Sequence, residues 1–357
     1  MRFRKVVVGV DFSATSLAAA QWAARQLAPD AEIVLVHVLR EPDAPAVIRP
    51  ELPPLLDVYD EVAPALQGGL RGLADLIGSS RVQVELRSGK LADELVAAAR
   101  SVGADLICVG QTRTRRGSAR FGATTAHRIL ARTATPVVVV PGVRSNATDR
   151  VLVAVGDSPA AAAFVRGSWQ MAQWNEAELH VQHTLSPELR AVMRAAHAVD
   201  GDEELLAPRA RLDETRAVEQ TTEWLAALVA EAHAPAGRAR LHVSIGDPGQ
   251  EIVALSNTLP ADLIVIGRAD GDLTPPPAAG AELRLHVGST ARFVSWAAPC
   301  PVLVMPEVRA ADPGGPRGVR WQQRRSDALP LRAGRPSGDT PLPPAASLPD
   351  DPWSDVA

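Results

Sequence analysis

ADLICVG, residues 104–110, and ADLIVIG, residues 261–267, are nearly the same seven-residue stretch, met twice in one chain. From Leu106 to Val109 and from Leu263 to Ile266 every side chain is apolar. Such a run predicts a strand covered on both faces, the condition of a parallel sheet wrapped by helices. Each run closes on a glycine, Gly110 or Gly267, where another backbone or a ligand can come close. Working outward, VVVGVDFS (6–13) answers to VLVAVGDS (151–158), and Ala31-Glu32-Ile33 through His37 answers to Ala177-Glu178-Leu179 through His183. TPVVVVP (135–141) answers to CPVLVMP (300–306). Four matches in the same order make the chain a tandem duplication.

Within each copy, short β-branched runs alternate with longer stretches of helical period, which predicts an α/β fold built on a parallel sheet. In copy one the expected strands fall near 5–10, 32–38, 82–87, 105–110 and 136–140, and the helices near 15–28, 56–78, 91–102 and 124–132. Copy two follows the same plan, with a longer helical stretch between about 187 and 233. The expectation is two doubly wound, Rossmann-like domains over 1–144 and 149–308, joined by the polar linker GVRSNATD. Residues 309–357 are rich in Pro and have no sustained apolar period, so they read as a disordered tail; Trp321, Trp353 and the basic segment beside Trp321 read as stray residues of a solvated tail, with a docking motif as the alternative.

The bulk numbers narrow the function classes. With 46% apolar and 22% charged residues the 357-residue chain has a globular composition, and a net charge of −4 gives no overall pull toward nucleic acid. No eighteen consecutive residues are apolar, so no membrane span is expected. The opening MRFRKVVVGVDF briefly resembles a signal peptide, but its apolar run stops at Asp11, and a cytoplasmic protein is the expectation. The two cysteines, Cys108 and Cys300, sit in or beside apolar runs without CxxC spacing and read as buried free thiols.

Ligands of open parallel sheets bind beyond the carboxyl ends of the strands, which in copy one directs attention to Asp11, Val38, Gly89-Lys90 and Gly110. Asp11 follows an all-apolar strand; its carboxylate can accept from a ribose hydroxyl or an adenine amine, or take part in capping the next helix. Beyond Gly110 come Arg113, Arg115, Arg116 and Arg120, then Thr124 and Thr125 at a helix start. Guanidinium groups, helix N–H groups and hydroxyls suit a phosphate; an exposed basic loop is the alternative. His180 and His183 lie three apart on an expected strand and face opposite ways, so they cannot clasp one metal, and no metal site is expected. His37 and His183 hold the same place in both copies, which favours a structural role.

These residues carry a family resemblance over about 1–144 and 149–308. VVVGVDFSATS, VLVHVL and ADLICVGQTR…ATTAHRILARTATPVVVVP resemble the first strand, second strand and C-terminal signature of the universal stress proteins. Members that bind ATP carry Gly, two residues, Gly, nine residues, then Gly and Ser or Thr. Counted from Gly110, that pattern puts Arg113 and Ala123 where glycines stand and Thr124 at the hydroxyl. The resemblance also implies that Asp11 and Val38 contact adenosine, and that the two domains pair through their fifth strands, 136–140 with 301–305, as an intramolecular pseudo-dimer. In copy two Gly267, Gly288, Ser289 and Thr290 match, but the stretch between Gly267 and Gly288 is longer than the pattern, carries Asp270 and Asp272 and a Pro run at 275–277, and Gly156 replaces the first-strand Asp.

Two functions stay open. One is a stress-response regulator whose first domain binds ATP, with Mg²⁺, or a related adenine nucleotide, and acts through a regulatory protein partner. Nothing in the chain reads as a competent general base, so at most slow hydrolysis is expected. The other is a protein-interaction scaffold that has lost nucleotide binding. AVGDSP (154–159) resembles the loop of ATP pyrophosphatases but lacks its paired glycines, which leaves that enzyme class little support.

Overall fold

The structure, a computed structural model, describes residues 3–26, 32–40, 55–77, 81–111, 124–142, 148–158, 161–188, 203–234, 237–268 and 287–306. Copy one comprises β1 (Lys5–Gly9), α1 (Ala14–Gln26), β2 (Glu32–Arg40), α2 (Leu55–Ile77), β3 (Val82–Gly89), α3 (Leu91–Val102), β4 (Leu106–Gly110), α4 (Thr125–Leu130) and β5 (Val137–Val140). Copy two comprises β6 (Arg150–Ala154), α5 (Ala161–Trp174), β7 (Glu178–Leu185), α6 (Glu203–Glu231), β8 (Ala239–Ile245), α7 (Pro248–Thr258), β9 (Leu263–Gly267), α8 (Ser289–Ala297) and β10 (Val302–Met305). The expected alternation is present in both copies. The linker residues 143–147 and the tail from 307 onward lie outside the described residues.

All ten strands join one sheet in the order β3-β2-β1-β4-β5-β10-β9-β6-β7-β8. Within each copy the neighbours run parallel. The copies meet where β5 and β10 pair antiparallel, Val302 opposite Val139, Leu303 opposite Val138 and Val304 opposite Val137. Each of those strands is buried along its whole length, and neither would tolerate an open edge in water.

Both faces are covered, as the apolar strands require. Val6, Val8 and Leu35 point to the side of α1, α2, α5 and α6, while Val7, Val34 and Val36 point to the side of α3, α4, α7 and α8. Completely burying one such Val or Leu contributes roughly 1.5–3 kcal/mol. The two cysteines are free and buried. Cys108 donates its thiol to the Ala19 carbonyl, and burial pushes its pKa well above the ordinary thiol value, so it is a packing residue.

Candidate functional site

The aspartate of the doubled ADLI stretch ties each copy together. Asp105 accepts the backbone amides of Arg4 and Lys5 at the start of β1, and Asp262 accepts those of Asp149 and Arg150 at the start of β6. The two strands that flank each strand-order reversal, β1 with β4 and β6 with β9, are thereby set level. Their carboxyl ends then stand side by side, where open sheets take ligands.

In copy one the end of β1 leads into a tight turn. The Asp11 Oδ1 accepts the Ser13 amide at 3.0 Å and the Ser13 hydroxyl, while the Ser16 amide donates to Ser13 Oγ at 3.2 Å and caps α1. Burial acts to raise the Asp11 pKa, but the hydrogen bonds from Ser13 and Ser16 outweigh it, so the carboxyl sits below its ordinary value and stays ionised. Between them Phe12 adopts φ 58°, a left-handed conformation uncommon for a bulky residue, and lays its ring 5.1 Å from that of His37. His37 Nδ1 in turn meets the Val10 carbonyl at 2.7 Å, and His183 does the same at Val155 in copy two at 2.9 Å. The doubled histidine braces the strand end in each copy.

Val38 does not follow its strand as expected. Pairing between β2 and β3 continues to Arg40 opposite Gly89, so Val38 lies two residues inside β2 and is buried beside Val36. Gly110 does end β4. A Cβ there would lie 2.5 Å from the Thr15 carbonyl carbon and 2.6 Å from the Ser16 amide nitrogen. The backbone that comes close at this glycine is that of α1. Thr124 caps α4 by accepting the His127 amide at 3.3 Å, and Thr125 is its first helical residue. The expected helix over 124–132 is shorter, Thr125–Leu130, because the chain turns at Ala131 and Arg132 toward β5. Arg113, Arg115, Arg116, Arg120 and Ala123 lie outside the described residues.

Copy two brings Gly156, Gly267, Gly288 and Ser289 to the equivalent edge. Gly288 is the N-cap of α8 and donates its amide to the Arg268 carbonyl at 2.9 Å, and Ser289 begins the helix on its exposed side. Among the described residues, a Cβ on Gly267 would meet the Phe164 ring at 3.4 Å, and one on Gly156 would meet nothing within 4 Å. The equivalence with copy one is therefore positional and does not extend to packing. Asp270, Asp272 and the Pro run lie outside the described residues.

The sequence model of the Universal stress protein family matches residues 2–141 and again 147–306. The chain belongs to the universal stress protein family. Its duplicated sheet is thus a tandem of two universal stress domains in a single polypeptide. A curated relative, a Universal stress protein of Mycolicibacterium smegmatis, is 34% identical over 171 residues, 43% of this chain and 55% of that protein. The chain thus spans about half the length of that relative. Among solved structures, a universal stress protein from Archaeoglobus fulgidus is similar with a TM-score of 0.58 at 18% identity, over 85% of this chain and 96% of that one. A functionally unknown protein from Pseudomonas aeruginosa gives a TM-score of 0.51 at 17% identity, over 85% and 92%. At such identities the likeness is one of fold.

Sequence reasoning missed two groups of buried polar residues. Gln111, His127, Thr133, Arg268 and Ser295 are each at most 7% exposed and lie between the copies. His180 and His242, on adjacent strands β7 and β8, hold ring nitrogens 2.9 Å apart. On β2 of copy one, Val34 stands where His180 does and Val36 where Gln182, the strand partner of His242, does. The repeat held a signal for His180 and Gln182, which are polar where copy one is apolar, but none for Gln111 and Arg268, which are polar in both copies.

Proposed function

We propose that the chain is a stress-response regulator whose first domain, residues 1–144, binds an adenine nucleotide, and whose second, residues 149–308, has diverged from that use. One observation carries the reading: Asp11, two residues past β1, and Gly110, the last residue of β4, stand at the carboxyl ends of adjacent strands, on either side of the strand-order reversal. Asp11 is exposed and ionised, which suits an acceptor for ribose hydroxyls. Thr124 uses its oxygen as a cap yet keeps its own proton to donate. On this reading Val38 supplies an apolar wall, Arg113 neutralises phosphate where glycine would otherwise stand, Ala123 replaces a second glycine, and Thr125 adds a hydroxyl. Mg²⁺ would supply further charge neutralisation on the phosphates. In copy two Gly267, Gly288 and Ser289 would frame a weaker or altered site. The reading also places the protein in the cytoplasm, acting through a regulatory protein partner.

The test is calorimetric titration of the full chain with ATP and Mg²⁺, after a check for nucleotide carried through purification. Saturable binding that Asp11→Ala abolishes and Gly156→Asp leaves unchanged is the expected result. The second reading, an interaction scaffold without a nucleotide, is favoured by one observation: Asp11 and Gly110 both have structural work already, with Ser13 and with the α1 backbone. A folded sample with no carried nucleotide and no binding supports that reading instead.

A further inference from the structure

Gln111 and Arg268 occupy equivalent places, each the first residue after the glycine that ends the fourth strand of its copy. Each donates its backbone amide to the adjacent fifth strand, Gln111 to the Val140 carbonyl and Arg268 to the Met305 carbonyl, both at 2.8 Å. Their side chains leave their own domain. Gln111 Nε2 donates to the carbonyl of Ser295, at 2.9 Å, and to that of Trp296, near the C-terminal end of α8 in copy two. The Arg268 guanidinium donates to the carbonyl of Thr133, just past α4 in copy one. Ser295 and Trp296 lie in the last turn of α8, where carbonyls lack intrahelical partners and carry partial negative charge, so they suit an amide donor. Gln111 is 4% exposed and Arg268 6%, and little water reaches these bonds to compete.

The contacts close into a ring. From Arg268 the Gly288 amide returns at 2.9 Å, and α8 follows directly. The carbonyls of α8 hold Gln111; the chain then passes to Thr124 and α4, and Thr133 beyond α4 holds Arg268. Across the middle, His127 Nε2 of α4 lies 3.1 Å from the Arg292 carbonyl and 3.2 Å from Ser295 Oγ of α8. The first residue after each fourth strand is therefore tied to the opposite copy, Gln111 to α8 and Arg268 to the turn that follows α4.

We propose that Gln111 and Arg268 are crossed positioning residues, through which the end of the fourth strand in each copy is tied to the last helix of the other, or to the turn just after it. Neither residue needs to touch a ligand. A ligand bound beyond the carboxyl end of β4 that restrains Gln111 also stiffens α8, whose N-cap Gly288 donates to the Arg268 carbonyl. The ligand consequence rests on the adenine-nucleotide reading of copy one; the positioning does not.

Amide hydrogen exchange on the full chain tests it, with Gln111→Met and Arg268→Met, which keep much of the size and remove the donors. Gln111→Met is expected to speed exchange across 289–297 about tenfold while leaving α5 of the same copy within about twofold, and Arg268→Met to do the same across 125–131. Gln111→Arg, which installs the donor that copy two uses, is expected to restore wild-type exchange. Unchanged exchange in the opposite copy's last helix, or acceleration spread evenly over both copies, overturns the proposal. Should Gln111→Met not accumulate as folded protein, Gln111→Arg decides: native protection of 289–297 supports the proposal and its loss overturns it. A second arm adds ATP and Mg²⁺ to the wild-type chain, where slowed exchange across 289–297 is expected, and lost in Gln111→Met. Absence of any ATP binding sinks the nucleotide reading while the first arm still decides the positioning.

Discussion

Gly110 is the residue where a ligand-centred and a packing-centred account of this edge part company. A Cβ added there meets α1 backbone at 2.5–2.7 Å, and backbone cannot swing aside as a side-chain tip can. Gly110→Ala is expected to destabilise the chain by about 1–3 kcal/mol through overpacking, whereas Gly267→Ala, which among the described residues faces the Phe164 ring at 3.4 Å, should fall within about 0.5–1 kcal/mol of wild type; urea denaturation of both variants makes the comparison. That Gly110 ends a strand was legible in ADLICVG, but its neighbours Thr15 and Ser16 lie 95 and 94 positions away and carry no sequence mark. Histidines teach the same lesson. Burial is the foremost cause that lowers the pKa of His127, His180 and His242; around His180, Glu178 acts in the opposite sense while Arg240 and Arg150 reinforce the lowering, and His180 and Arg240 do the same for His242. Because the native state refuses protons that the unfolded chain accepts, stability is full above the ordinary imidazole value near 6.5 and falls as pH drops below it. Denaturation midpoints measured between pH 7.5 and 5 (about that range covers the ordinary imidazole value) should decline, and His180→Val, the residue copy one carries, should flatten the decline. An unchanged slope would assign the acid sensitivity elsewhere.

Elements were read more surely than their ends. The start of α7 was open to inspection, since Asp247 accepts the Gln250 amide at 2.9 Å and Pro248 opens the helix. At the start of α1 the sequence offered Asp11 as a ligand acceptor or a participant in capping, and the structure divides the capping work: Ser13 receives the Ser16 amide, and Asp11 holds Ser13. Ser13→Ala should therefore cost about 1 kcal/mol, read as a lower midpoint in denaturant, and should free the Asp11 carboxylate to move. Strand β2 outran its expected end because its last residues pair with β3, and pairing partners are invisible to a local pattern. The short α4 ends for a similar reason, since the chain must turn to feed β5.

At the scale of the whole molecule, the duplication was written plainly in four matched stretches, while the junction between copies came from the family resemblance. The buried Val137–Val140 strand has β10 as its only partner on that side. Residues 1–144 expressed alone would leave that edge open, so they are expected to pair with themselves; sedimentation should give twice the fragment mass, and a stable monomer would show that the junction depends on copy two in particular. The same junction has an evolutionary consequence. In a dimer of identical chains any substitution appears on both sides at once, so a change that harms one side cannot be sheltered by the other. Fusion of the halves through β5 and β10 removes that constraint: each half can change without the other, and the copies now hold Val34 against His180 and Asp11 against Gly156.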